Sequence, residues 1–118
     1  MKIRIKGNSL RYRLTKTDVA KLTEDGYIQE KVAFVGQAFV YALKLTDDDL
    51  LSAIYKDNAI MLYVPRALVA GLADEDKVGF EGRDGSLHLL VEKDFTCLDE
   101  VAEDQSDNYP NPLAAKKI

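Results

Sequence analysis

The residues able to do chemistry crowd into the start of the chain. Lys2, Arg4, Lys6, Arg11, Arg13, Lys16 and Lys21 stand against Asp18 alone, a net +6 within the first 21 residues of a protein whose formal charge is -4. Five of them flank the pair Gly7-Asn8, and lysine and arginine at that density suit phosphate or another anion. Other reactive types are sparse. His88 alternates with Leu87 and Leu89 and has no serine placed to be its nucleophile, so it reads as a structural or surface histidine rather than a general base. The lone Cys97 cannot close an internal disulfide, and with one histidine it cannot assemble a zinc site. Asp47-Asp48-Asp49 after Thr46 reads as a cap or linker, with acids favoured in a first helical turn by the helix dipole, rather than a metal site. Gly79-Phe80-Glu81-Gly82 lacks the following Lys and helix of a phosphate loop. No metal, cofactor or catalytic residue is expected.

The elements that position the cations follow from period. Lys2 to Lys6 alternates with period two, Leu10, Tyr12 and Leu14 continue it, and Gly7-Asn8 suits a two-residue turn. A hairpin closed there puts Ile5 opposite Leu10 and Ile3 opposite Tyr12 inside, with Arg4 opposite Arg11 and Lys2 opposite Arg13 outside. Such like-charge pairs repel by roughly 1 kcal/mol in water, so that face is mildly self-destabilising unless anions or acidic side chains sit on it. Thr15 and Asp18 form a capping box for a short helix from Lys16 to Leu22, and Gly26 stops it. Tyr27 to Val35 and Gln37 to Leu45 read as strands. Ala53 to Lys56 and Ala59 to Val64 flank Asp57-Asn58, Pro65 opens a helix through Leu72, and strands Asp76 to Gly82 and Leu87 to Lys93 flank Asp84-Gly85.

The second half thus repeats the first. Shifting the chain by 50 residues places Asn8 on Asn58, Leu10 on Ile60, Tyr12 on Leu62, Val19 on Val69, Ala20 on Ala70 and Leu22 on Leu72, which indicates an internal duplication. The expected fold is α+β and β-dominated: a compact β-barrel of two tandem ββαββ halves, 1 to 45 and 50 to 98, with two short helices, forming one domain over 1 to 98. Residues 74 to 107 hold twelve acids against Lys77, Arg83 and Lys93, and residues 99 to 118 read as an acidic flexible tail. Its Glu103, Asp104, Asp107 and Tyr109 are candidates for holding a protein partner or covering the basic hairpin. No apolar run is long enough for a signal peptide or membrane span, so a cytoplasmic location is expected.

Two resemblances carry more. Lys2 to Ser9, Arg13 to Lys16, Val91 to Leu98 and Tyr109 to Pro112 resemble a group of small uncharacterised bacterial proteins over the whole chain. Gly7-Asn8-Ser9 with Arg13-Leu14-Thr15 is similar to the AbrB/MazE-like swapped-hairpin β-barrel module. So are Leu62 to Arg66, Asp76-Lys77-Val78 and Asp84 to Leu87 in the second half. That resemblance implies DNA contacts from the first hairpin at Arg4, Asn8, Ser9 and Arg13, and two modules that pair, here within one chain. Thr15 departs from the proline of the motif, and Ala59, Met61 and Tyr63 stand where the first hairpin has Ser9, Arg11 and Arg13.

The nucleic-acid or anion site expected from both lines is Arg4, Lys6, Asn8, Ser9, Arg11 and Arg13. The function expected is non-enzymatic binding, of DNA by the hairpin as a regulator, or of protein by the tail, with a homodimer compatible. A phosphate-binding enzyme is the third alternative, as a cation-lined barrel is similar to the triphosphate-tunnel hydrolases. Lys-x-Arg-x-Lys, however, replaces their metal-holding Glu-x-Glu-x-Lys.

Overall fold

The computed structural model describes residues 1–96 and 105–112. Strands β1 (Lys2–Lys6) and β2 (Ser9–Leu14) pair antiparallel in the expected register, Arg4 opposite Arg11 and Ile3 opposite Tyr12. Gly7 takes φ 54°, which suits glycine at the first central position of a primed turn. Helix α1 (Lys16–Asp25) opens on the capping box, with the Asp18 amide donating to Thr15 Oγ1 at 3.2 Å and the Thr15 amide to Asp18 Oδ2 at 2.9 Å. It closes on left-handed Gly26 and so runs three residues beyond the expected Leu22.

Strands β3 (Tyr27–Ala33) and β4 (Ala38–Thr46) follow, then β5 (Ser52–Lys56) and β6 (Ala59–Pro65). The aspartate run 47 to 49 lies in the connection between β4 and β5 and not in a helical turn. Only residues 47–51 separate the strands, too few for a helix, and Asp47 pairs instead with Arg66 at 3.4 Å. Helix α2 (Arg66–Ala70) continues as a 3-10 turn over Gly71–Ala73. Strand β7 (Gly79–Asp84) begins three residues later than its sequence pattern implied. The Lys77 amide bonds back to the Asp74 carbonyl and the Asp76 amide to the Asp74 carboxylate, which holds 74–77 as a turn. The β7 to β8 (Leu87–Lys93) turn is Gly85-Ser86, one residue on from the expected pair, because Asp84 still pairs with Leu87.

The eight strands form two four-stranded sheets, β1-β2-β8-β7 (sheet A) and β3-β4-β6-β5 (sheet B). Each takes one hairpin from each half, joined by a parallel central pair, β2 with β8 and β4 with β6. Exchanging the halves maps one sheet onto the other. Even the tips correspond, since the Asn8 carbonyl accepts from the His88 amide as the Asn58 carbonyl does from Val40, each at 3.0 Å. The two similar halves are therefore present. No hydrogen-bonded strand pair among the described residues joins the sheets into a closed barrel; a shared core joins them instead.

Leu10, Tyr12, Leu14, Leu43, Leu62, Val64, Leu89 and Val91 fill that core, with Leu22 from α1 and Val69 from α2. Fully burying each such side chain contributes about 1.5–3 kcal/mol. Tyr12 is the exception in chemistry. It is wholly buried, its ring meets Tyr41 edge-on at 6.3 Å, and its hydroxyl has no hydrogen-bond partner among the described residues. Burial, with Tyr41 beside it, pushes the phenol above the ordinary tyrosine range. An unpaired buried hydroxyl costs about 1–3 kcal/mol. Tyr12→Phe is therefore expected to leave the fold intact and to move the urea midpoint upward, whereas Leu62→Ala lowers it by the equivalent of about 2–5 kcal/mol.

Candidate anion-binding face

Strand alternation sends Ile3, Leu10, Tyr12, Leu89 and Val91 inward and the cations of β1 and β2 outward. Register then orders the outer face of sheet A in three rows across the strands. They are Lys2, Arg13, Glu92 and Gly79; Arg4, Arg11, Leu90 and Glu81; and Lys6, Ser9, His88 and Arg83. Six cations thus share one face with two carboxylates. Neighbouring strands lie about 4.8 Å apart, so Arg4 and Arg11, or Lys2 and Arg13, present adjacent positive groups.

The counter-ions cover one end of this face. Glu92 Oε1 is shared by Arg11 and Arg13, each Nε at 3.4 Å, and Lys2 Nζ reaches the buried Asp94 at 3.1 Å. Arg4, Lys6 and Arg83 are exposed and have no ion pair among the described residues. Arg4, Lys6, Ser9, Arg11 and Leu90 line a shallow dimple of about 100 Å³ toward the turn. Arg4 and Lys6 are thus the cations of the expected set with most freedom to meet an anion.

Asn8 and Ser9 do something different. Asn8 Nδ2 donates to the carbonyl and Oγ of Ser86, at 3.0 and 3.1 Å, and Ser9 Oγ donates to the Lys6 carbonyl at 2.7 Å. The Asn8 side chain ties the first hairpin's tip to the last and that of Ser9 closes its own turn, so base contacts from them would require those bonds to break. Sequence reading missed Arg83, His88 and Glu81, which β7 and β8 bring alongside the hairpin, His88 Nε2 lying 3.0 Å from Glu81 Oε2. Their alternation was visible, but only the parallel β2–β8 pairing places them on this face.

The tail residues divide. Glu103 and Asp104 lie outside the described residues, as does Cys97. Asp107 and Tyr109, expected in a flexible segment, are held against the body instead. The Asp107 carbonyl accepts from the Lys16 amide at 3.1 Å and its carboxylate from the Thr17 amide at 3.3 Å, at the start of α1. Tyr109 exchanges backbone bonds with Asp94 and Thr96, meets Phe95 edge-on at 6.3 Å and lies under Lys93 Nζ at 5.0 Å. This docking is at the far end of β2 and β8 from the Gly7-Asn8 turn, away from Arg4 and Lys6. Hydrogen bonds from Thr15 and then Thr17 hold the Asp107 carboxyl below its usual range. A depressed folded pKa stabilises the docked state above the free aspartate value and loses that contribution as pH falls through the lower value. Amide protection of Thr17 and Asn108 is accordingly expected to hold at neutral pH, to fall on acidification below about pH 4, and to be weakened at neutral pH by Asp107→Ala.

Fold and face together define a small two-sheet α+β protein with a polybasic sheet surface. No described helix is long and apolar enough to cross a membrane. The chain belongs to DUF7009, a family of unknown function whose model matches residues 1–113. Searches of curated proteins and of solved structures found no match.

Proposed function

We propose that this protein is a non-enzymatic nucleic-acid-binding protein that engages a phosphate backbone through the outer face of sheet A, in the manner of an AbrB/MazE-like regulator. The observation that carries the reading is the array of Lys2, Arg4, Lys6, Arg11, Arg13 and Arg83 on one face, which Glu92 and Asp94 answer only at one end, leaving Arg4, Lys6 and Arg83 without an ion pair among the described residues. Like charges on adjacent strands are retained against their own repulsion, and a polyanion is the ligand class that relieves it. The exchange of hairpins between halves supports the likeness to the swapped-hairpin module. The tail reading gains less support, because Asp107 and Tyr109 spend their polar groups on the protein's own helix and strand.

Fluorescence anisotropy of a labelled random duplex, titrated at low and near-physiological salt, tests the proposal. Binding should weaken with a log–log salt slope of about -3 or steeper, one unit for each of Arg4, Lys6 and Arg83. Arg4→Glu should abolish binding while raising folding stability by a few tenths to about 1 kcal/mol, since Arg11 then faces an opposite charge. Opposed effects of that kind separate a binding residue from a structural one. Absence of salt-sensitive binding by the intact chain at low salt would overturn the reading.

A further inference from the structure

We propose that His88 is a conditional phosphate ligand of this face, joining the three unshielded cations when its imidazole is protonated, so that nucleic-acid affinity is linked to proton uptake. The proposal rests on the reading of sheet A given above. His88 stands in the row Lys6, Ser9, His88, Arg83, on the central strand β8 rather than at an edge. Each group facing it is identifiable. Ser9 lies opposite on β2 with Lys6 beyond it, Arg83 opposite on β7, Leu90 follows on its own strand, and Glu81 of β7 meets Nε2 at 3.0 Å.

That surrounding sets the sign of the effect of protonation. An uncharged imidazole leaves Glu81 a full negative charge beside Arg83, drawing on the field that an incoming phosphate would meet. An imidazolium pairs with Glu81 and cancels that charge. The face then passes from a net +4, six cations less two acids, to a net +5.

Histidine is the side chain whose charge changes between about pH 5 and 8, and His88 is the single histidine of the chain. The amino-terminal nitrogen lies against Asp18 and Glu30, with Met1 packed against the core rather than on this face. A pH dependence of binding in this window therefore has one protein source on this face.

The test is a titration of the full chain with a 5′-hydroxyl duplex, whose phosphodiesters do not titrate in this range, at fixed low salt and about pH 8, 7, 6 and 5.5. Affinity is expected to rise roughly three- to tenfold toward the acid end, with the salt slope steeper there by about one. His88→Gln should lose the acid enhancement, its affinity staying flat across the range. His88→Lys, a permanent cation, should bind at the parent's acid level throughout; far-UV circular dichroism checks that both variants fold. A parent that binds equally at all four pH values, or a His88→Gln protein that keeps the acid enhancement, would overturn the role of His88 and leave the binding face standing. A parent that binds at no pH would overturn both.

Discussion

The parallel pairing of β2 with β8, repeated as β4 with β6, is the contact on which everything else in this molecule rests. A tight turn cannot join parallel strands, so residues 9–14 must wait for residues 87–93, at the other end of the domain, to supply their second neighbour. Tyr12, Leu14, Leu89 and Val91 lie on the inner side of that seam and are fully buried. The same pairing brings Glu92 against Arg11 and Arg13 and adds His88 and Arg83 to the cations of the first hairpin. Neither half could build this core or this face with its own strands alone.

Magnitudes show why so many like charges are tolerated. Each cross-strand cation pair opposes folding by at most about 1 kcal/mol, less where Glu92 or Asp94 answers it. Behind the same strands, Leu10, Leu89 and Val91 each contribute about 1.5–3 kcal/mol by leaving water. Burial wins with margin, so the outer face is free to be set by what it meets. Apart from Glu81, the remaining acids among the described residues do not sit there. Asp47 to Asp49, Asp74 to Asp76, Glu24 and Asp25 lie in connections and at a helix end, so a protein of overall negative charge can still present a positive sheet.

Local signals in the sequence were readable to the residue. The register of the first hairpin, the Thr15 and Asp18 capping box, the Gly26 stop and the equivalence of Asn8 with Asn58 all depend on neighbours a few positions apart or on repetition, which a linear reading captures. What escaped it was contact between distant segments. Nothing near Asn8 announces that its amide is spent on Ser86, 78 positions away, and nothing near Tyr109 announces its bridge to Phe95. The aspartate run, read as a cap or linker, is the linker, because the short reach between β4 and β5 left no room for the helix start that acids after a threonine also suit. The candidate site was thus half visible: Arg4, Lys6, Arg11 and Arg13 from alternation, Arg83 and His88 only from topology.

Carrying both halves in one chain also changes what the two sheets can become. In a pair of identical chains the equivalent faces would hold the same residues; here they have diverged. Arg4, Arg11 and Arg13 correspond to Ile54, Met61 and Tyr63, and only Lys6 keeps a cation, at Lys56. Sheet B is not devoid of charge, since Lys31, Lys44 and Lys56 lie on its outer side. No two of those lysines are direct cross-strand neighbours, and none is an arginine able to hold a phosphate in a fork. Adjacent guanidinium groups on neighbouring strands occur on sheet A, where Arg4 faces Arg11. The duplicated frame therefore supplies rigidity through two equivalent seams while confining the dense cationic array of the described residues to one side.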